Sequence, residues 1–234
     1  MPLPIAILPG YFATAAEYFD LATSLENLGF SVAIVPLRQR DWLPTVGGRS
    51  MVPILRQLDQ TIQRLLEQSG ASQVNLVGHS AGGWIARIYL GEKPYRIHRE
   101  VLETTDGLWD ARARVATLIT LGTPHITQEP WARKNLDFVN DYYPGAFYSD
   151  VSYICVAGKG IYGQRQWGSW LAYNSYKITC GQGNCWGDGI TPVVAAHLQG
   201  AENLTLDGIR HSPRSAGPWY GSPEAMSAWV PYLV

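Results

Sequence analysis

Gln73-Val74-Asn75-Leu76-Val77-Gly78-His79-Ser80-Ala81-Gly82-Gly83-Trp84-Ile85-Ala86-Arg87-Ile88-Tyr89-Leu90 decides how this chain is read. Its first five residues are a short β-branched run, the signature of a buried strand. Residues 83–90 carry helical spacing and stop at Gly91, which is expected to cap the helix C-terminus. Ser80 therefore falls on the sharp turn between a strand and a helix, with its oxygen exposed and the helix N-terminus beneath it. Gly78 and Gly82 leave space where side chains would collide with that turn. The five residues Gly78-His79-Ser80-Ala81-Gly82 have the form of a nucleophile elbow, and their strand-and-helix context gives the pattern its weight.

Outward from the elbow, strands and helices alternate. Apolar runs at 3–8, 31–36, 73–78, 115–121, 151–157 and 202–207 give six strands, and alternation with helices predicts a mostly parallel sheet covered on both faces. Ala15 to Leu28 places Tyr18, Leu21, Leu25 and Leu28 on one helical face, with Gly29 as terminator. Met51 to Gln68 carries a stripe of Ile54, Leu58, Ile62 and Leu65, with Ser50 as N-cap and Gly70 as the stop. Residues 92–113 are polar and join the elbow helix to the fourth strand. Residues 129–147 show Trp131, Leu136, Val139 and Tyr142 at roughly helical spacing up to Pro144-Gly145. Residues 158–187 are rich in Gly, Trp and Tyr and show no period, so they read as a lid, a pocket wall or a disguised element. The expected organisation is one α/β domain over 1–234, without repeat or linker.

Composition narrows the function. The chain has 234 residues and a formal net charge of -1, with no basic stripe, so electrostatic capture of nucleic acid is not expected. Three cysteines do not make a disulfide framework. Cys155 reads as a small core residue, Cys180 and Cys185 flank a four-residue loop and could pair, and no metal site is expected. The N-terminal residues read as a first strand rather than a signal segment, and no run of about 18 apolar residues suggests a membrane span. The expectation is a cytoplasmic protein, with peripheral membrane contact as an open alternative. Its oligomeric state is not legible. Nine tryptophans are unusual; in loops such rings line apolar sites.

A serine hydroxyl at neutral pH needs an imidazole to take its proton and a carboxylate to fix the imidazole's tautomer. Beyond the ends of parallel strands, where ligands bind, Ser80, Asp188 and His211 occur in that chain order. His211 lies in a Gly- and Ser-flanked loop after the last strand. His79 should point away from its neighbour, His125 reads as a pocket residue, and His98 and His197 read as connecting or helical residues. Asp188 stands between two glycines, where an Asx-turn is the plain alternative. Asp207 is its rival as the acid, although it lies only four residues before His211. Asp137, Asp141 and Asp150 read as boundary or helix-surface charges. For the oxyanion, the N–H groups of Ala81 and Tyr11 are the expected donors, with Phe12 as second choice. Phe12, His125, Trp131, Phe138, Tyr142 and Ile190 are the expected pocket residues.

Together these segments resemble the α/β-hydrolase superfamily, and within it the small lipases and lipase-like proteins related to GPI inositol-deacylases. The motifs are Leu8-Pro9-Gly10-Tyr11, Gly78-His79-Ser80-Ala81-Gly82-Gly83, Leu121-Gly122-Thr123-Pro124-His125, Gly187-Asp188-Gly189-Ile190-Thr191-Pro192-Val193 and Ile209-Arg210-His211-Ser212. The resemblance implies a minimal version of that fold lacking its first two strands, and serine ester hydrolysis without cofactor or metal. The substrate would be a small-molecule or lipid ester. The family's usual His-Gly in the oxyanion loop is Pro9-Gly10 here. An acyltransferase with the same triad, or a ligand-sensing protein with negligible turnover, are the competing readings.

Overall fold

The structure, a computed structural model, describes residues 2–97 and 107–234. In chain order its main elements are β1 (Ile5–Leu8), α1 (Phe19–Asn27), β2 (Val32–Ile34), α2 (Val52–Ser69), β3 (Val74–His79) and α3 (Ala81–Leu90). They continue with β4 (Val115–Leu121), α4 (Pro130–Tyr142), β5 (Ser152–Lys159), β6 (Ile161–Tyr162), α5 (Trp170–Cys180) and β7 (Trp186–Gly187). The last three are α6 (Val193–Ala196), β8 (Glu202–Asp207) and α7 (Pro223–Trp229).

Six strands form one sheet in the order β2-β1-β3-β4-β5-β8, and every neighbouring pair is parallel. A strand's side chains alternate between faces, and here both faces are apolar. Ile5, Ile7, Val77, Ile119 and Val156 pack with Leu21 and Leu25 of α1 and Met226 and Trp229 of α7. Ala6, Leu8, Leu76, Leu118 and Cys155 face the other way, against α2, α3 and α4. In doubly covered parallel sheets of this kind ligands bind beyond the strands' carboxyl ends.

Local corrections have local causes. The Ala15–Leu28 helix begins with a tighter 3₁₀ turn, Ala15–Tyr18. In α2, Met51 takes the cap position expected of Ser50, whose Oγ instead accepts the Val52 N–H at 3.3 Å. Pro53, lacking an N–H, fits that first turn. Gly91 does follow α3, but its backbone is extended rather than left-handed. It is glycine for another reason: a Cβ there would lie 2.5 Å from the Tyr143 ring.

Residues 158–187 hold a helix, α5, set between two strands of a small antiparallel ribbon, β6 with β7. Its period was invisible because apolar residues occupy both sides. Ala172, Tyr173 and Tyr176 are buried, while Leu171 and Ile178 are exposed. Among the described residues no helix is long and apolar enough to cross a membrane.

Candidate active site

Ser80 is the single residue between β3 and α3, and it has φ 52° and ψ −125°. This region is unfavourable for any side chain and costs on the order of 1–3 kcal/mol. The surroundings hold it there. Its N–H donates to the Leu121 carbonyl of β4 at 2.8 Å, and its own carbonyl accepts the Gly83 N–H at 3.1 Å. The flanking glycines are required by contact: a Cβ on Gly78 would stand 2.6 Å from Gly83 Cα, and one on Gly82 would stand 2.4 Å from the Leu8 carbonyl.

His211 lies beside the serine. Its Nε2 is 3.0 Å from Ser80 Oγ, and its Nδ1 is 2.7 Å from Asp188 Oδ2. A carboxylate only accepts, so Nδ1 carries the proton and Nε2 is left to accept from Ser80 Oγ. The His211 backbone is fixed too, its N–H donating to the Asp188 carbonyl at 3.0 Å.

Asp188 closes a turn with one carboxylate oxygen and reaches His211 with the other. Oδ1 closes an Asx-type turn by accepting the N–H groups of Ile190 at 2.9 Å and Thr191 at 2.7 Å. Oδ2 takes His211 and also the Tyr220 hydroxyl at 2.7 Å. Tyr220, fully buried, accepts the Gly158 N–H on the same oxygen. Burial alone would push the Asp188 carboxyl up, but the His211 charge and these hydrogen bonds outweigh it and hold the group below its ordinary value. Nothing in the sequence around Tyr220 marked it, since its partner lies 32 residues away. Asp207, the rival acid, closes β8 at the surface and pairs with Lys159 at 3.1 Å.

Three backbone N–H groups beside Ser80, those of Tyr11, Phe12 and Ala81, have no acceptor among the described residues. Ala81 opens α3, so its N–H belongs to the helix's unpaired first turn. Tyr11 and Phe12 form the turn after β1, and Phe12 has φ 58°. This turn divides two hollows that meet at the serine. One, a cavity of about 410 Å³, is walled by Phe12, Trp84, Trp131, Ala132 and Ile178 together with Ser80 and Ala81. The other, of about 290 Å³, is bordered by Gly10, Gln39, His211, Ser212 and Arg214.

The expected pocket residues divide accordingly. Phe12 and Trp131 line the apolar cavity; His125, Phe138, Tyr142 and Ile190 do not. His125 is buried beneath the loop after β4, with Arg87 Nη1 3.4 Å from its Nδ1 and the Thr120 hydroxyl 3.3 Å from its Nε2. Phe138 packs edge-on against Tyr95, and Lys93 lies over the Tyr142 ring, both on the far side of α4. Ile190 is exposed and holds Ser175 only through its carbonyl. Trp84 and Ile178 were missed, although Trp84 lies one helical turn past Ser80. His197 is bonded to Thr205 at 3.0 Å, and His98 lies outside the described residues. Cys180 and Cys185 are free thiols, each donating to the Gln182 carbonyl at 3.4 Å.

Two histidines are buried in neutral form. Burial, then the charge of His211, drive His79 down from 6.5 to about 3, against the opposing pull of the His211 carbonyl and Asp188. Burial, with Arg87 and His197 beside it, takes His125 well below its ordinary value. Below about pH 6.5 the unfolded chain binds protons at both sites that the folded chain refuses, at His79 down to about pH 3. Stability therefore falls as the pH drops through that window, with a slope of up to about 1.4 kcal/mol per pH unit for each imidazole. The contribution of Asp188, complete above its unfolded value of 3.8, is lost as the pH falls below that value. Urea midpoints are expected to fall from pH 7.5 to pH 5; equal midpoints would contradict the buried neutral assignment.

The family of the fold is shown by comparison. The profile of the α/β hydrolase fold matches residues 4–169, well over half the sequence. The chain belongs to the α/β-hydrolase fold family. A solved structure of a Listeria innocua gene product is similar over 98% of this chain and 93% of its own, at 14% identity and a TM-score of 0.57. A Pseudomonas aeruginosa protein named as a "probable hydrolytic enzyme" covers 98% of this chain and 84% of its own, at 12% identity and a TM-score of 0.50. At such identities the likeness is one of fold. No curated protein matches.

Proposed function

We propose that this chain, working as a single domain, is a serine hydrolase of carboxylic esters. The observation that carries the reading is the aligned path from Ser80 Oγ through the His211 ring to Asp188, with spans of 3.0 and 2.7 Å, next to unpaired N–H groups. His211 Nε2 takes the Ser80 proton as Oγ attacks the ester carbonyl. The Ala81 and Tyr11 N–H groups stabilise the charge on the carbonyl oxygen. The protonated His211 gives its proton to the departing alcohol oxygen, leaving an acyl-serine. Water then enters, loses a proton to His211 and releases the acid, and Ser80 is restored.

The apolar cavity supports an ester with an apolar acyl part, because its walls are aromatic and aliphatic. Exposed Trp167, Trp170 and Leu171 near the start of α5 support contact with lipid aggregates, in keeping with a lipase-like substrate. The deciding experiment is fluorophosphonate labelling with peptide mapping, alongside turnover of p-nitrophenyl esters of increasing chain length. Label on Ser80 with turnover is the expected result. Label elsewhere, or none on folded protein, overturns the reading, and label without turnover would favour a ligand sensor. Ala132→Trp, which fills the cavity, is expected to lower kcat/KM for long acyl esters by about tenfold or more relative to acetate. Equal losses on both would place the acyl chain elsewhere.

A further inference from the structure

Beneath the catalytic turn lies a buried chain of hydrogen bonds that no step above uses. Gly10 N–H donates to Tyr18 Oη at 3.0 Å. Tyr18 Oη stands 2.7 Å from His79 Nδ1, and His79 Nε2 stands 2.8 Å from the His211 carbonyl oxygen. Tyr18 and His79 are almost inaccessible, at 0% and 4% exposure. The direction of every bond follows from the chemistry of its ends. A carbonyl oxygen only accepts, so His79 Nε2 carries the ring proton. Neutral Nδ1 then accepts, so the Tyr18 hydroxyl donates to it while accepting from Gly10.

Both ends of this chain act on atoms that matter. At one end, Gly10 is held twice, its N–H by Tyr18 and its carbonyl by the Ala13 N–H at 3.0 Å. That carbonyl belongs to the same planar trans peptide as the Tyr11 N–H, which must point the opposite way. At the other end, His211 is held by its N–H on the Asp188 carbonyl and by its own carbonyl on His79. Gly10 is also the residue whose Cβ would crowd the relay, 3.1 Å from His79 Nδ1 and 2.9 Å from Ser80 Cβ.

We infer that Tyr18 and His79 are positioning residues that couple the two halves of the site, aiming the Tyr11 N–H at the oxyanion and seating His211 for proton transfer through one buried relay. The inference rests on the Ser80 reading above. Burial pushes the Tyr18 phenol up and the His79 imidazole down, so both hold the forms the chain requires. A protonated His79 would turn Nδ1 into a second donor toward Tyr18 and leave the phenol proton without an acceptor. The sequence reading that His79 points away from Ser80 was thus only half of its role.

Tyr18→Phe keeps the ring and removes the joint. It is expected to lower kcat by about ten- to a hundredfold, the scale of a small misplacement of reacting groups, with KM within about twofold. His79→Gln, which can still reach the His211 carbonyl with a donor, is expected to retain more activity than His79→Leu. Tyr18→Phe combined with His79→Leu should be no worse than His79→Leu alone, because one relay is broken once. In wild-type protein, ¹⁵N NMR should find His79 as the Nε2–H tautomer, not titrating between pH 5 and 9. A folded Tyr18→Phe variant with wild-type kcat, multiplying effects in the double variant, or an Nδ1–H or titrating His79 would each overturn the relay. The tautomer is read without turnover or mutation, so it decides even where a variant fails to fold. Full activity in Ser80→Ala would overturn the Ser80 reading instead, and leaves the tautomer measurement unaffected.

Discussion

Ser80→Ala and His211→Ala are each expected to reduce kcat on an activated ester by about a millionfold, and the double variant to lose no more. In the proposed mechanism the two groups act as one device. Ser80 Oγ becomes nucleophilic only as its proton passes across the 3.0 Å gap to His211 Nε2. Remove either partner and the other does nothing alone. What survives in all three variants is binding in the cavity and the field of the unpaired N–H groups, so the residual rates should coincide. KM should change little, and the fold should persist, since Ser80 keeps its backbone bonds to Leu121 and Gly83. Kinetics of the two singles and the double, with thermal unfolding as a control, make the test. Multiplying effects would mean that Ser80 and His211 do not act in one step.

Asp188→Asn is expected to cost about 10⁴-fold in kcat. All four hydrogen bonds to the carboxylate come from donors, two on each oxygen. An amide has one NH₂, and either orientation sets it against a pair of donors. Turned toward His211, it forces the ring proton onto Nε2, where the proton can no longer be accepted from Ser80. Turned toward the loop, it keeps the ring tautomer but strands the N–H groups of Ile190 and Thr191. Activity and melting temperature should therefore both fall. Asp207→Asn, which only loosens a surface pair with Lys159, is expected to leave kcat within about twofold. Reversal of these two outcomes would move the acid to Asp207.

The strands were legible because a buried parallel strand is an apolar run cut off by turn residues. Two of them, 115–121 and 202–207, have the same limits in sequence and structure. The candidates Ser80, Asp188 and His211, which the structure brings together, stood out because each lies in a turn near glycine that follows a strand, the short β7 in the case of Asp188. The pocket was not. Helical phase tells which residues share a face, but not which neighbour that face meets, so Phe138 and Tyr142 were read toward the serine while they lie beside Tyr95 and Lys93. Tyr18 and Tyr220 were beyond reach for a related reason. Each works through one hydroxyl on a partner far away in sequence, His79 and Asp188, and a single long-range hydrogen bond leaves no periodic trace.

The Asx-type turn at Asp188 has a consequence for how such a protein can change. The carboxylate that serves His211 sets its own angle, using N–H groups only two and three residues ahead of it. The segment before it, from β6 through α5 to β7, contributes Ile178, Thr179 and Ser175 to the cavity wall. That segment also grips the turn, Tyr176 Oη accepting the Gly189 N–H at 2.8 Å and Ser175 Oγ donating to the Ile190 carbonyl at 2.6 Å. A change in α5 that reshapes the cavity wall is therefore felt, through Tyr176 and Ser175, by the turn that aims the Asp188 carboxylate.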